Sequence, residues 1–350
     1  MSGEAGPAAA GADAARDSAI RDLLADAGFT GAGFDYLAGD ASFRRYARVR
    51  GGPRPALIMD APPGREDVGP WLRMARHLRG LGLSAPEIYA ADEPAGLLLI
   101  EDFGDETFTR VLAAGGDEGA LYDLAVDVLA AIHARPASDT VPLWLPPYDE
   151  EKLLAEAALF TDWYLPAINR RPTPDALRDD YLALFKAALA PARALPATLV
   201  LRDYHVDNLM RLAGRDGLKA CGLLDFQDAV AGAAAYDLIS LIEDARRDLG
   251  PGIAERALAR YHARFPDLDR DAFAAAGAAL AACRNAKIIG IFTRLLRRDG
   301  KPGYLAHIPR VWRLLEGDLA HPSLGDLKAW FDDAVPPAGR LIPGPEGAEP

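Results

Sequence analysis

The chain has 350 residues, half of them apolar and 26% charged, long enough to bury a substantial core in one large domain or two joined ones. Its formal charge is −12, which excludes a general nucleic-acid binder, because that role needs a basic footprint to neutralise phosphates. Only Cys221 and Cys283 are present, too few for a disulfide framework or a thiolate metal cluster.

The start of the chain carries neither the basic nor the apolar segment of a secretory leader, and its apolar runs are short of the roughly 20 residues of a membrane span. A cytoplasmic protein without membrane contact is expected. Residues 1–16, small and Ala/Gly-rich, predict a disordered tail. Asp17–Gly28 predicts a helix with Ile20, Leu23, Leu24 and Ala27 on one stripe and Gly28 as its stop. Strands are predicted over 34–37, 44–50 and 56–60, with turns at 39–42 and 51–53. A helix over 67–81 follows, patterned by Trp71, Met74, Ala75 and Leu78, and then strands over 87–91 and 96–101. Residues 17–103 therefore read as a small antiparallel sheet with a helix against it.

From residue 104 to 335 the pattern is mainly helical, with helices over 120–133, 150–163, 174–189, 252–265, 271–298 and 308–317. Strand content there falls to short pieces near 198–201, 209–212 and 219–224, and the Pro/Gly-rich residues 336–350 predict an irregular tail. The expected class is α+β, a small sheet-based lobe followed by a larger helical lobe.

Chemistry concentrates in LRDYHVDNLMRL, residues 201–212, and KACGLLDFQDAVAG, residues 219–232. Asp203 and Asn208 stand five positions apart in a polar loop, and Gly222-Leu223-Leu224 deliver Asp225 to the end of a short strand. Phosphoryl transfer needs few groups accurately placed, and Mg²⁺ prefers oxygen ligands that it shares with ATP phosphates. Asp225 and Asn208 suit the metal, while Asp203 suits proton acceptance from an attacking hydroxyl. Asp and Asn are also ordinary turn residues, so the spacing alone is a weak signal.

These segments resemble the catalytic and metal-binding loops of the aminoglycoside phosphotransferase family, within the protein-kinase-like superfamily. More closely, GDASFRRYARV at 39–49, MDAPP at 59–63, LRDYHVDNLM at 201–210, LLDFQDAVAG at 223–232 and RNAKIIGIFTRL at 284–295 resemble bacterial anomeric N-acetylmuramate/N-acetylglucosamine kinases of cell-wall recycling. The resemblance implies a two-lobed kinase-like fold, ATP and Mg²⁺ as cofactors, Asp203 as catalytic base, and Asn208 and Asp225 as metal ligands. It implies phosphorylation of the anomeric hydroxyl of the amino sugar, with the sugar 1-phosphate passed to a nucleotidyltransferase. The alternatives are a kinase for an aminoglycoside, an amino alcohol or another sugar, or a nucleotide-binding pseudokinase.

Two departures stand out. Leu201 replaces the histidine that usually opens the loop, and the third strand lacks the lysine that clamps the α/β-phosphates. Arg44, Arg45 or Arg48 could supply that charge, and strand parity with Ala47 and Val49 favours Arg45, with Glu66 or Glu87 as its partner. The turn around Ser42 would cover the phosphates. Glu101-Asp102-Phe103 falls at the implied hinge, its backbone meeting adenine and the Glu101 side chain facing solvent. His205 and Asp228 are candidates for the acceptor, each with a loop or turn role as the alternative. Asp237 is expected to brace the catalytic loop. Arg284, Lys287 and Arg294 recur at helical spacing, a cationic ridge that favours an anionic or N-acetylated sugar over a polycationic one, with Lys287 and Arg294 as substrate contacts.

Overall fold

The structure, a computed structural model, describes residues 7–37 and 44–344. It divides into two compact units, one drawn from the chain up to Gly116 together with Asp207–Asp228, the other from Asp117–Val206 together with the chain from Ala229 onward.

The first unit opens with helix α1 (Pro7–Asp26). That helix starts ten residues before the expected Asp17, so the segment expected to be a disordered tail is helical from Pro7 on. The cause is composition: alanine has the highest helix propensity, and proline is accommodated in a first turn. Gly28 ends the helix with φ +80°, and the Phe29 N–H closes on the Leu24 carbonyl at 2.7 Å. Strands β1 (Gly33–Tyr36), β2 (Arg45–Arg50) and β3 (Ala56–Asp60), helix α2 (Gly69–Gly80), and strands β4 (Ile88–Asp92) and β5 (Leu97–Glu101) follow. The five strands form one antiparallel sheet in the order β1-β2-β3-β5-β4. Register places Ala47 opposite Ile58 and Ile58 opposite Leu99, and these residues pack with Ile20, Leu24 and Phe29 of the α1 segment. Because side chains alternate, Met59, Leu98 and Ile100 are buried on the other face. Helix α3 (Phe108–Ala113), capped by the Thr107 hydroxyl on the Arg110 N–H, completes this stretch.

The second unit begins with α4 (Glu118–His133), capped by Asp117, and continues through α5 (Ala137–Thr140) and α6 (Glu150–Leu159). A π-helical turn, Phe160–Tyr164, then leads to α7 (Leu165–Asn169), α8 (Asp175–Ala188), α9 (Ala190–Ala194) and strand β6 (Ala197–Val200). The chain next returns to the first unit as the hairpin β7 (Leu209–Arg211) and β8 (Cys221–Leu223), joined to it by bridges from Met210 to Thr107 and from Gly222 to Ser84. It re-enters the second unit at β9 (Val230–Ala233), which pairs antiparallel with β6. Helices α10 (Ala235–Ile242), α11 (Ile253–Arg264), α12 (Arg270–Asp299), α13 (Ile308–Leu319) and α14 (Gly325–Ala334) follow. The architecture is the expected two-lobed one, a small antiparallel-sheet lobe and a mainly helical lobe.

Helix α12 is the axis of the second unit. It is long and apolar enough to cross a membrane by composition alone, unlike the short runs expected, yet most of that stretch is buried inside the unit. Around it, Phe160 of the π-turn packs against Tyr164, Trp312 and Phe331 with ring centroids 5.1–5.6 Å apart. The Tyr164 hydroxyl donates to the Leu341 carbonyl at 2.8 Å, anchoring a tail that has no regular structure beyond a 3₁₀ turn at Pro337–Gly339. Gly290 lets α12 approach the end of α6: a Cβ there would meet the Leu159 carbonyl oxygen at 2.3 Å. Gly290→Ala is expected to lower stability by about 1–3 kcal/mol, the cost of overpacking a tight contact, measured as a reduced urea midpoint with unchanged slope.

Candidate active site

In the second unit, β6 runs into Leu201-Arg202-Asp203. Asp237, in the first turn of α10, is fully buried, and its carboxylate accepts the Leu201 N–H at 2.6 Å and the Arg202 N–H at 2.9 Å. Burial pushes the Asp237 carboxyl up to about 7, while these two backbone donors pull the other way. The Ser240 hydroxyl donates to the Arg202 carbonyl at 3.2 Å, and the Asp203 N–H closes on the Leu201 carbonyl at 2.9 Å. Arg202 is held at φ +70°, a region that non-glycine residues rarely occupy. Leu201, in the usual histidine's place, is buried and supports the loop by packing. Tyr204 ties the next turn to α4 through the Ala125 carbonyl at 2.8 Å.

The side chains around Asp203 are charged and nearly buried. Arg202 donates to Glu156, which also pairs with Lys287 Nζ at 3.0 Å and accepts the Tyr148 hydroxyl. Burial pushes the Glu156 carboxyl up, but Lys287 and Arg202 more than reverse it and leave it below the usual range. Arg284 is also buried and donates to the Glu243 carbonyl at 3.0 Å, while the Asn285 amide is shared between Glu243 and Asp318 at 2.8 Å each. The expected cationic ridge on α12 is therefore not one solvated face. Lys287 and Arg284 point inward to acceptors, and only the half-buried Arg294 lies nearer the end of the helix. Burial and then the neighbouring Arg298 lower the affinity of Arg294 for its proton. His205 is buried as well, and burial, with Arg246 and Arg284, pushes its imidazole down to about 3.

In the first unit, the β7–β8 register pairs Leu209 with Leu223, so Asn208 and Asp225 emerge at the same end of the hairpin. The Leu224 N–H donates to the Asn208 carbonyl at 3.0 Å and fixes that end. Asp225 sits at φ +56° with an exposed side chain, and the buried Phe226 anchors it against Trp71 with rings 5.4 Å apart. Gln227, a residue the sequence reasoning missed, donates to Asp225 at 2.8 Å and to Asp228 at 3.3 Å. Its carbonyl oxygen Oε1 is buried without a hydrogen-bond partner. The signal for it was present in the run DFQD, a neutral amide between two carboxylates.

Among the described residues, no three His, Cys, Asp or Glu side chains gather as a ready metal cage. The donors here are instead the oxygens of an exposed carboxylate and two amides, Asp225, Asn208 and Gln227. Such a set fits Mg²⁺, which keeps several positions for water and phosphate, and the unpartnered Gln227 oxygen beside Asp225 suits a nearby cation.

Strand β2 separates the candidate arginines by face. Arg45 shares its face with Ala47 and Val49, which is the α1 face, and pairs with the buried Asp60 at 2.5 Å alongside Arg16 and the Tyr36 hydroxyl. Parity therefore commits Arg45 to a structural cluster, contrary to the expectation that it clamps phosphate. Arg48 is held by Asp102 at 2.6 Å and Asp105 at 2.9 Å. Arg44 pairs with Glu66 at 3.5 Å and borders Tyr46, whose phenol is raised by burial, opposed by Arg44 and reinforced by Asp225. Arg44 is thus the candidate arginine that shares with Asp225 an influence on the Tyr46 phenol. Glu101, expected to face solvent, is instead held by Arg215 and accepts the Glu87 N–H at 3.3 Å. The Arg215 guanidinium also lies 5.2 Å from the Phe103 ring centre. Ser42 lies outside the described residues.

Residues 34–274 match the phosphotransferase enzyme family, and the chain belongs to that family. Fold and family together define a kinase-like phosphotransferase that acts on a small molecule and uses a nucleotide. Four curated relatives carry the name N-acetylmuramate/N-acetylglucosamine kinase. That of Caulobacter vibrioides is 38% identical over 92% of this chain and 97% of its own, and that of Pseudomonas aeruginosa 36% identical over 89% and 88%. Among solved structures, a choline/ethanolamine kinase family protein from Mesorhizobium loti aligns with a TM-score of 0.60 at 16% identity, covering 91% of this chain and 98% of that one. Choline kinase LicA from Streptococcus pneumoniae aligns with a TM-score of 0.60 at 13% identity, over 87% and 99%. At these identities the structures speak for the fold.

The two buried histidines set an acid limit on stability. Burial pushes His133 down to about 4 and is the main cause for His205 at about 3, against an ordinary value of 6.5 in the unfolded chain. Each of these histidines thus binds fewer protons in the folded than in the unfolded state below pH 6.5, so its contribution to stability is full above that pH and falls as pH drops toward 4, while Asp237, raised to about 7, acts in the opposite sense. In urea titrations at pH 7 and pH 5, the change in unfolding free energy on acidification is expected to be about 2 kcal/mol more favourable in His205→Asn than in the parent.

Proposed function

We propose that the protein transfers the γ-phosphoryl group of ATP to the anomeric hydroxyl of N-acetylmuramate and N-acetylglucosamine, giving the sugar 1-phosphate. The observation that carries the substrate is the identity with two kinases named for that sugar pair over about nine-tenths of this chain. The chemistry is supported by the backbone fixation of Asp203 through Asp237 and Ser240. In this reading Asp203 accepts the proton of the attacking hydroxyl and directs its lone pair at the γ-phosphorus. Asn208 and Asp225, with Gln227 beside them, hold Mg²⁺. When bound, the metal neutralises charge on the phosphate oxygens. Arg44 supplies the phosphate charge that the strand lysine provides elsewhere. The reaction runs in the cytoplasm, and its product suits a sugar-1-phosphate nucleotidyltransferase.

Turnover of ATP with N-acetylmuramate, N-acetylglucosamine, kanamycin and choline tests the assignment. The two amino sugars are expected to be phosphorylated and the other two ignored, and Asp203→Asn is expected to lower kcat by about 10²-fold or more while nucleotide affinity persists. Activity confined to choline or kanamycin would replace the substrate, and unimpaired Asp203→Asn turnover would remove the base. For the clamp, Arg44→Ala is expected to raise KM for ATP about tenfold, whereas Arg45→Ala changes it less than twofold and lowers the thermal midpoint instead.

A further inference from the structure

Three residues of the first unit, Asp225, Gln227 and Asp228, are joined through one amide. Gln227 Nε2 donates to Asp225 Oδ1 at 2.8 Å and to Asp228 Oδ2 at 3.3 Å. A neutral side chain thus spans two carboxylates, with one N–H for each. That sharing fixes which way round the amide sits, because the opposite orientation would aim its carbonyl oxygen at two anions. The oxygen is left at the other end, where Oε1 is buried without a hydrogen-bond partner. An unmet buried acceptor is destabilising, and the two charge-assisted bonds offset it.

The backbone around Asp225 is held on both sides, by the Leu224 N–H on the Asn208 carbonyl at 3.0 Å and by Phe226, buried against Trp71. Its side chain is exposed, so packing does not choose the direction of the carboxylate. Among the described residues, the hydrogen bond that this side chain receives comes from Gln227. It falls on Oδ1 alone and makes the two oxygens unequal. The inequality bears on the choice of ion. Mg²⁺ demands a tight octahedral shell, whereas the larger Ca²⁺ takes more ligands and accepts both oxygens of one carboxylate. An Oδ1 that already accepts an N–H is a poorer member of such a chelate, because the amide occupies a lone pair and the space beside it. Ligation through Oδ2 alone is unaffected.

We infer that Gln227, through its N–H end, makes Asp225 a one-oxygen ligand and so determines a preference for Mg²⁺ over Ca²⁺, an inference that rests on the reading of Asp225 as a metal ligand. Gln227 then acts on the metal through another residue and sets which ion the site selects.

The test is binding of AMP-PNP, a non-hydrolysable ATP analogue, to the full chain by isothermal titration in excess Mg²⁺ or excess Ca²⁺, read as the ratio of the two dissociation constants. The parent is expected to bind the magnesium form about fivefold or more tightly than the calcium form. Gln227→Met has similar length and no N–H; Gln227→Glu has the same shape with an oxygen in place of the N–H. Each is expected to narrow the preference by about threefold or more, through tighter binding of the calcium form, and the ratio cancels the charge that glutamate adds for either ion. Thermal midpoints identify the folded variants, and either variant alone decides. A parent without preference overturns the inference, as does a folded variant that keeps the parent's ratio. Gln227→Glu also separates the two ends of the amide, since it would preserve the preference if the oxygen of Gln227 set it. Asp225→Asn is run in parallel. If it binds both forms as the parent does, the metal-ligand reading has failed; if it weakens both while the Gln227 variants keep the parent's ratio, only the role of Gln227 has failed.

Discussion

The loop that carries Asp203 depends on one buried carboxylate. Asp237 takes the N–H groups of Leu201 and Arg202, two donors that a chain leaving a strand would otherwise present to a dry interior. An unmet backbone donor in such a place costs about 1–3 kcal/mol, so the pair of bonds fixes the course of the loop more firmly than the packing of Leu201 could. Leucine at position 201 presents the same backbone N–H to Asp237 as any other residue would and adds a buried apolar side chain.

Around this anchor the protein solves the same electrostatic problem twice. In the first unit the buried Asp60 gathers Arg16, Arg45 and the Tyr36 hydroxyl; in the second, Glu156 gathers Arg202, Lys287 and the Tyr148 hydroxyl. Each is a carboxylate met by two cations and a phenol. Such clusters add little net stability relative to apolar packing, because desolvation offsets most of the attraction. What they contribute is direction, since each removes specific arginines or lysines from the set able to reach a ligand. The Asp60 cluster is why Arg45 is committed to α1, whereas Arg44 pairs with Glu66 and borders Tyr46.

Much of this was legible in the sequence, and the parts that were not have identifiable causes. The five strands of the small sheet and the long helices announced themselves by alternation and by 3.6-residue stripes. Strand β9, reading Val-Ala-Gly-Ala, has no pattern to find, and α10 reads only as an apolar run because it is buried on most sides. The start of α1 was hidden by small residues, whose helix propensity counts for more than their lack of buried area suggests. Spacing and resemblance made Asp203, Asn208 and Asp225 candidates, and the expected bracing of the loop by Asp237 is present in its bonds to the Leu201 and Arg202 N–H groups. The partners of Arg45, Glu101 and Lys287 could not, because each partner lies from 15 to 131 positions away in sequence and pairing over such separations is a property of the fold.

Backbone conformation gives an independent view of where the chain is held under constraint. Among the described residues, the non-glycine residues with positive φ are Arg170, Arg202 and Asp225. Asp tolerates the left-handed region, so the geometry at 225 needs only the hairpin tie at Leu224 and the Phe226 anchor. Arginine does not, and the strain of about 1 kcal/mol or more at 202 has to be met by its surroundings. Asp237, Ser240 and Glu156 supply three separate restraints on that one residue, from two different helices. A conformation so heavily restrained next to a carboxylate, where the sequence could have placed a glycine without strain, is explained if the arginine side chain itself is needed there. Glycine would relax the backbone and remove the charge that Glu156 holds in place.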